Sequence, residues 1–270
     1  MASPDDDAVL LEGGGRNAVR RRGDVVIRDA RPWTPAVHAL LRHLENVGFA
    51  AAPRLAGSGL DRDGREVLTF IEGEFTQPGP WNLDGAAALG GLLRSLHEAT
   101  RSFRPPQGAV WFAWHGRDLG GPDRIISHCD VAPWNIVARN GLPIAFIDWE
   151  TAGPVSPLVE LAQLAWLNAK LHDDIVAEIE HLPALDVRAR QLAAIADGYG
   201  LTAMQRRGLL DQIIEFAIVD TAWEADFAQV TPGTTGHPIA LWAMAWRARS
   251  AAWMIRNRRT LQNALNRGAA

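Results

Sequence analysis

Three polar side chains that could assist a metal-dependent reaction lie in one short region of the chain. Asp130 comes first, Asn135 follows five residues later, and Asp148 directly follows the apolar run 143–147. A carboxylate can orient a hydroxyl group for attack, and carboxylate and amide oxygens are ligands for a hard cation such as Mg²⁺. Phosphoryl transfer requires such groups and little covalent chemistry from the protein, so the residue types and their spacing favour that reaction.

An Asn-Gly turn predicts the hairpin that brings these side chains together. Asn140 and Gly141 tolerate the positive φ angles of a tight turn, and short apolar runs flank them. With this turn Asn135 faces Phe146, and Asp148 lies two residues further along the same face. Such a diagonal pair has a spacing of about 7 to 8 Å, which suits two ligands of one cation.

The three residues belong to a longer motif. The pattern His-x-Asp-x-x-x-x-Asn runs from His128 to Asn135, and an Ile-Asp pair follows at 147–148. Further along are Gly-Pro at 153–154 and Glu-Leu-Ala at 160–162. Together these elements resemble the aminoglycoside phosphotransferase family, relatives of the protein kinases, although the family often carries aspartate at the position of Glu160. The resemblance covers most of residues 10–165.

The resemblance implies a bilobal kinase fold with ATP in the cleft between the lobes. It implies that Asp130 is the catalytic base, that Asn135 and Asp148 are the Mg²⁺ ligands, and that His128 braces the loop. An isolated Asp or Asn beside a hairpin is more often a cap or a turn former, but the complete set favours the functional interpretation.

Cys129 stands where the family commonly has glycine. A Cys-His nucleophile pair with His128 is an alternative interpretation, but no clear third residue orients the pair, and we expect Cys129 only to pack.

On the nucleotide side, the resemblance points to three groups of residues. The glycine cluster Gly13, Gly14 and Gly15 lies between two predicted strands and resembles the glycine-rich loop of the family. Protein kinases hold the phosphates with a lysine on the third strand, and here the apolar strand 25–27 ends in Arg28, which can bind phosphate bidentately. The alternative for Arg28 is an exposed arginine at the end of a strand.

Two further features concern nucleotide binding. Phe70, Ile71 and Glu72 resemble the hinge whose backbone binds adenine, a mode of recognition that does not distinguish ATP from GTP. The family places a glutamate early in the next helix, where this chain has His38, and its helix glutamate Glu45 comes near the end. The partner of Arg28 is therefore not predicted by the sequence.

For the acceptor, the resemblance points to the C-terminal helices. Asp220, Glu224 and Asp226 cluster there and could bind a cationic aminoglycoside, although a solvated helix face is the commoner explanation. Eleven tryptophans could line an apolar pocket, but Trp242, Trp246 and Trp253 share helical spacing, and we expect them in the core. We expect Arg247 and the arginines 256, 258 and 259 to form a solvated basic face.

The elements that position these residues predict an α+β fold with a small β-rich N-terminal lobe and a larger, mostly helical C-terminal lobe. Strand signals occur at residues 10–28 and 61–71, and a helix is predicted from Thr34 and Pro35 until Gly48. Helical periodicity resumes at Asp84 and dominates after Leu158. We therefore expect residues 1–72 to form the nucleotide-binding lobe, and residues 73–270 to carry the catalytic loop, the metal-binding hairpin and the acceptor site.

The composition narrows the class of protein. Apolar residues make up 47% of the chain, which supports a packed core, and a net charge of -4 gives no reason to expect nucleic acid as a partner. The single cysteine excludes a disulfide framework. No segment resembles a secretory signal or a membrane span, so we expect a cytoplasmic protein that acts on a small-molecule acceptor.

The sequence thus leads to one main hypothesis and two alternatives. The main hypothesis is an ATP- and Mg²⁺-dependent O-phosphotransferase that modifies a hydroxyl of an antibiotic or a related natural product, for resistance or self-protection. The first alternative is a kinase of a small metabolite such as choline, a sugar or homoserine. The second is a nucleotide-binding pseudokinase, which Arg28 and the missing early helix glutamate suggest and the intact acidic residues disfavour.

Overall fold

A computed structural model describes residues 8–11, 18–76, 79–235 and 238–267 of the chain. Its first part is a five-stranded antiparallel sheet with the strand order β1-β2-β3-β5-β4. The strands are β1 (Val9–Leu10), β2 (Arg20–Arg22), β3 (Val25–Arg28), β4 (Leu55–Leu60) and β5 (Glu66–Thr69). The predicted small sheet is therefore present, with β2 and β3 inside the predicted strand region 10–28 and β5 inside 61–71.

Helix α1 (Thr34–Asn46) lies between β3 and β4 in the chain. It starts at the predicted Thr-Pro signal, and its buried apolar residues recur at helical spacing and join the hydrophobic core with Leu68 of β5. Gly48 adopts a φ of 79° directly after the helix, which explains why the helical pattern stops there. Helix α1 therefore packs against the sheet.

Helices dominate the second part of the chain. They are α2 (Leu83–Thr100), α3 (Pro157–Asn168), α4 (Asp174–Ile179), α5 (Leu185–Tyr199), α6 (Ala203–Phe227), α7 (Pro238–Arg256) and α8 (Arg258–Arg267). Gly90 of α2 and Gly198 of α5 face the backbone of the opposite helix, at Ile195 and Ala87, so closely that a Cβ atom at either position would collide with it. These two glycines let α2 and α5 approach each other without intervening side chains.

Four short strands lie between α2 and α3. They form two antiparallel pairs, β6 (Ile125–Ser127) with β9 (Gly153–Val155), and β7 (Ile136–Arg139) with β8 (Leu142–Phe146). The predicted turn joins β7 to β8, with Asn140 at a φ of 53° and Gly141 at 75°. Positive φ at both positions is the geometry that makes Asn-Gly the preferred pair in such turns.

The register of this hairpin differs from the expected one. The register shifts between Val137 and Ala138, which face Ala145 and Pro143, so Ile144 is an extra, bulged residue on β8. Ile136 therefore faces Phe146, and the predicted pairing of Asn135 with Phe146 is wrong by one residue. The backbone oxygen of Asn135 instead accepts a hydrogen bond from the Ile147 amide, at 2.9 Å. Asp148 is therefore one residue beyond the position opposite Asn135, and the expected two-residue diagonal is not formed.

The connector after β5 is joined to this hairpin. Glu74 and Ala138 exchange two backbone hydrogen bonds, of 2.9 and 2.7 Å. This bridge fixes the β7-β8 hairpin relative to the segment that leaves the small sheet. Within the described ranges, no helix is long and apolar enough to cross a membrane.

Candidate active site

Asp130 and Asn135 contact each other directly in the loop between β6 and β7. The Asn135 side-chain nitrogen donates to the Asp130 carboxylate at 2.9 Å and to the Asp130 backbone oxygen at 3.0 Å. A short 3₁₀ helix, Pro133–Asn135, makes this contact possible by turning the chain back on itself. Because the amide nitrogen is used here, the amide oxygen of Asn135 stays out of this contact.

His128 connects the loop to the strand that precedes Asp148. Its Nδ1 accepts a hydrogen bond from the Asp130 amide at 3.2 Å, so its Nε2 carries the proton and donates to the Ile147 oxygen at 2.8 Å. Burial lowers the pKa of His128 and outweighs the nearby carboxylate of Glu160. A neutral histidine therefore links Asp130 to the residue before Asp148.

Glu160 of α3 holds the same loop from its buried side. Its side chain is fully buried and accepts a hydrogen bond from the Cys129 amide at 2.5 Å, and its other oxygen lies 2.6 Å from His97 Nε2. Burial alone would raise the pKa of Glu160, but the hydrogen bond and charge of His97 outweigh burial and lower it. The loop backbone is thus anchored to an ionised carboxylate.

Cys129 is a packed residue and is not activated for nucleophilic chemistry. Its side chain is fully buried, and burial raises the pKa of its thiol well above the usual value. Its φ of 64° lies in the left-handed region that glycine adopts most easily. This conformation gives a physical reason for the glycine found here in the family that the sequence resembles.

Asp148 lies two residues beyond the end of β8 and has a left-handed conformation, with φ 60° and ψ 66°. Its side chain is 44% exposed, and one carboxylate oxygen lies 2.5 Å from Nη1 of Arg28. Arg28 is at the end of β3 in the small sheet, so this ion pair crosses from the sheet to the segment that follows the β7-β8 hairpin. The structure therefore brings Asp130, Asn135, Asp148 and Arg28 into one region.

Arg28 has a second carboxylate partner, which the sequence did not predict. Its Nε donates to Glu66, the residue directly opposite it on β5, and His38 Nε2 lies 2.9 Å from the other oxygen of Glu66. Burial would lower the pKa of Arg28, but the charges of Glu66 and Asp148 outweigh burial and raise it. Glu45, in contrast, is half exposed and lies 4.0 Å from Arg54.

Sequence reasoning missed Glu66 and His38 for a definite reason. Glu66 occupies the first position of a strand, where a charged residue is common and does not indicate a functional role. Only the strand register shows that it faces Arg28. His38 occupies the early helix position where a glutamate was expected, and this departure was the one available signal.

The expected hinge residues are partly engaged by the protein itself. The Phe70 amide donates to the Asp24 oxygen at 2.7 Å, and the Glu72 oxygen accepts from Arg139 at 3.0 Å. Arg21 stacks on the Phe70 ring, 3.7 Å from its centroid. Ile71 is half-buried beside them. The predicted phosphate loop at Gly13, Gly14 and Gly15 lies outside the described residues.

The acidic cluster proposed for the acceptor is already neutralised in large part. Arg247 of α7 donates to Asp220 at 2.6 Å and to Glu224 at 2.9 Å, and His115 lies 3.0 Å from Asp220. Burial would raise the pKa of Asp220, but hydrogen bonding to His115 and the charge of Arg247 lower it. Asp226 is exposed on another part of the helix. This arrangement does not support a cation site made of these three carboxylates.

Two further expectations for α7 need correction. Arg247 is a partly buried ion-pair residue, so its assignment to a solvated face is wrong, whereas arginines 256, 258 and 259 are exposed. Trp253 is buried and Trp246 packs on the core as expected, but Trp242 is 40% exposed. The helix turns its N-terminal part towards solvent, so equal spacing does not give equal burial.

The oxygen donors at this site suit a hard cation. The amide oxygen of Asn135 and the half-exposed carboxylate of Asp148 are both hard ligands, and Mg²⁺ is commonly held by one or two carboxylates together with water and substrate phosphates. In the described part of the chain, no group of three or more histidine, cysteine, aspartate or glutamate side chains is arranged to hold a metal ion. The residues thus fit a divalent cation that arrives with a nucleotide better than one in a closed protein cage.

The chain is similar in sequence to known proteins. Residues 106–210 match the model of the phosphotransferase enzyme family, APH. The trifolitoxin immunity protein of Rhizobium leguminosarum bv. trifolii is 52% identical over 260 residues, which are 96% of this chain and 99% of that protein.

Solved structures of kinases have the same fold. The amicoumacin kinase hAmiN, in complex with AMP-PNP, Ca²⁺ and Ami, matches 93% of this chain and 89% of its own, with a TM-score of 0.67 and 14% identity. Spectinomycin phosphotransferase APH(9)-Ia, with ADP and spectinomycin, matches 94% and 93%, with a TM-score of 0.59 and 13% identity. A choline/ethanolamine kinase family protein from Mesorhizobium loti matches 96% and 92%, with a TM-score of 0.59 and 17% identity. The predicted bilobal, protein-kinase-like α+β fold is confirmed.

Proposed function

The chain belongs to the phosphotransferase enzyme family, and we propose that it transfers the γ-phosphoryl group of ATP to a hydroxyl of an antibiotic or a related natural product. The observation that carries this proposal is the direct contact of Asn135 with the Asp130 carboxylate, next to the hairpin end where Asp148 meets Arg28. The relative that is 52% identical is named an immunity protein, which supports a role in self-protection.

Each residue has a distinct part in the proposed reaction. The Asp130 carboxylate orients the acceptor hydroxyl and takes up its proton, and the guanidinium of Arg28 binds phosphate oxygens. Asn135 and Asp148 would hold Mg²⁺, which supplies charge neutralisation at the phosphates when it is bound. Residues 1–72, with Gly13, Gly14, Gly15 and the hinge 70–72, would bind the nucleotide, and residues 73–270 would bind the acceptor. We propose ATP as the donor, with GTP as the alternative to test beside it.

The acceptor is proposed only as a class. Because Asp220 and Glu224 are paired with Arg247, a strongly cationic acceptor gains little from them, and Asp226 is the remaining exposed carboxylate of that group. The acceptors to compare are therefore aminoglycosides, macrolides and nucleoside antibiotics. Trifolitoxin belongs in the same panel because of the name of the relative, and choline, sugars and homoserine represent the metabolite alternative.

The test measures nucleoside diphosphate release and the mass of the product with each acceptor. Asp130→Asn and Asp130→Ala should lower kcat at least about a hundredfold, because the general base is lost. Asp186→Asn is the matched control, since Asp186 is an exposed member of an ion pair with Arg190 in the same lobe. Unchanged turnover in Asp130→Ala would contradict the proposed role of Asp130 as the general base. Nucleotide binding by the wild type without transfer to any acceptor would instead favour the pseudokinase.

A further inference from the structure

We propose that Glu66 and His38 are the positioning residues of Arg28, with a strand carboxylate braced by a helix histidine in place of the helix glutamate of protein kinases. In protein kinases the phosphate-binding lysine on the third strand is held by a glutamate from the following helix. Here the carboxylate comes from β5, and α1 contributes His38 instead. The proposal rests on the proposed function, because it assigns a purpose to the contact of Arg28 with phosphate.

The strand register builds this pair into the sheet. Arg28 and Glu66 are directly opposite each other on β3 and β5, and side chains at such positions start about 5 Å apart on the same face. No loop closure or helix movement is needed to bring them together. The pair is therefore as rigid as the centre of the sheet, whereas a glutamate on a helix depends on how the helix is placed.

Burial makes the Glu66 contacts specific. The Glu66 side chain is 2% exposed, and that of Arg28 is 10% exposed. Burial alone would raise the pKa of Glu66, but the hydrogen bond of His38 and the charge of Arg28 outweigh it and lower the pKa. One oxygen of the carboxylate is used by Arg28 and the other by His38. Glu66 thus has a fixed orientation, and its hydrogen bond with Arg28 orients the guanidinium.

An arginine suits this arrangement better than a lysine. Arg28 uses Nε for Glu66 and Nη1 for Asp148, so one planar group joins a buried carboxylate of the sheet to an exposed one of the hairpin. A lysine offers three donors from a single nitrogen, so both carboxylates would have to approach the same atom. The change of the cation from lysine to arginine and the change of the anion from helix to strand are therefore parts of one arrangement.

Loss of Glu66 has a specific consequence for the nucleotide. Without the strand carboxylate, the strongest remaining partner of Arg28 is Asp148, and the guanidinium is free to follow that side chain out of its position. Nucleotide affinity should then fall, while the acceptor KM at saturating nucleotide should change little. A purely structural role would instead reduce the fraction of active protein and lower kcat without changing the KM for ATP.

The experiment compares Glu66→Gln, His38→Ala, Arg28→Ala and the double variant Glu66→Gln/Arg28→Ala in the full chain. The readouts are the Kd of Mg·ADP by calorimetry and the KM for ATP. Glu66→Gln and Arg28→Ala should each raise both constants at least tenfold, His38→Ala about threefold, and the double variant no further than Arg28→Ala. Asp61→Asn is the matched control, because it breaks another arginine pair of the small sheet, with Arg65 at 2.9 Å; it should stay within twofold.

Several outcomes would overturn the inference. Unchanged nucleotide affinity in Glu66→Gln, or effects of Glu66→Gln and Arg28→Ala that simply add, would show that Glu66 does not act through Arg28. If Glu66→Gln unfolds below the assay temperature, His38→Ala carries the test, since it removes the brace and keeps the carboxylate. A wild type that binds no nucleotide would overturn both proposals. If the wild type transfers phosphate and Glu66→Gln binds nucleotide as tightly as the wild type, only the present proposal is overturned.

Discussion

The charge state and the role of single residues at this site depend more on their surroundings than on their residue types. His128 is neutral and bridges Asp130 to Ile147, although the same residue type is often a proton carrier. Arg28 and Arg247 are both partly buried, and each holds two carboxylates. In each case the partners decide what the side chain does, because a buried charge is tolerated only when it is paired.

His172 provides a prediction about pH at this scale. It is 5% exposed, and its Nδ1 lies 3.3 Å from the Ser250 hydroxyl. Burial, together with the charges of Lys170, Arg188 and Arg247, lowers the pKa of His172 to about 3. Between about pH 6.5 and 3 the unfolded chain therefore binds a proton at this residue that the folded chain does not, and stability falls as the pH falls through this range.

The measurement is urea unfolding of the wild type and His172→Gln at pH 7.5 and 5.5. The wild type should lose about 1.4 kcal/mol more than the variant over this interval, because only the wild type has the mismatch in proton binding at residue 172. Other titrating groups contribute equally to both proteins and cancel in the difference. Equal losses would show that His172 is protonated in the folded protein.

At the scale of elements, the hairpin β7-β8 determines the geometry of Asn135 and Asp148, the proposed metal ligands. Its Asn-Gly turn forms as the sequence predicts, but the bulge at Ile144 of β8 shifts Asn135 by one position relative to β8. Asp148 reaches the site through its left-handed conformation at the strand end, and not through regular strand alternation. The positions of Asn135 and Asp148 thus depend separately on the turn residues and on the strand register.

The turn can be tested through its glycine. Gly141 has a φ of 75°, and a Cβ there would meet only the Asn82 side chain at 3.5 Å, so Gly141→Ala changes backbone strain with little change in packing. It should destabilise the protein by about 1 kcal/mol and lower kcat, because the hairpin carries Asn135 and Asp148.

The control is another glycine in open space. Gly208 lies within helix α6, where a Cβ would meet nothing within 4 Å, so Gly208→Ala should stabilise the protein by about 0.5 to 1 kcal/mol and leave kcat unchanged. The measurements are the thermal unfolding and the turnover of both variants. Equal effects of both substitutions on stability would contradict the assigned turn geometry.

At the scale of the whole molecule, the small sheet and the helical part are joined at the β7-β8 hairpin. The Glu74–Ala138 bridge is one connection, and the pair between Arg28 and Asp148 is another. Both lie beside the proposed nucleotide site. A ligand bound there therefore contacts both parts of the fold and should stabilise them together.

The corresponding prediction concerns thermal stability in the presence of nucleotide. A nonhydrolysable ATP analogue with Mg²⁺ at about a hundred times its Kd should add about 2.7 kcal/mol to the free energy of unfolding and raise the Tm by several degrees. At the same analogue concentration the shift should be much smaller in two cases. Without Mg²⁺ the metal itself is missing, and in Asp148→Asn a proposed metal ligand is missing. An equal shift in Asp148→Asn would refute the assignment of Asp148.

The sequence by itself determined the features that depend on neighbouring residues. The catalytic motif around Asp130, the start of α1 at Thr34 and the Asn140-Gly141 turn were all predicted, because spacing, helix signals and turn preferences act over a few residues. The family and the class of fold followed from the same motif.

Only the tertiary structure decided which distant residues meet. Glu66 faces Arg28 because two strands pair in one particular register, and Arg247 neutralises Asp220 because two helices pack side by side. A shift of one residue in the register would turn Glu66 to the other face of the sheet. The partners of the buried charges are thus fixed by packing across the whole chain, and no local pattern in the sequence contains that information.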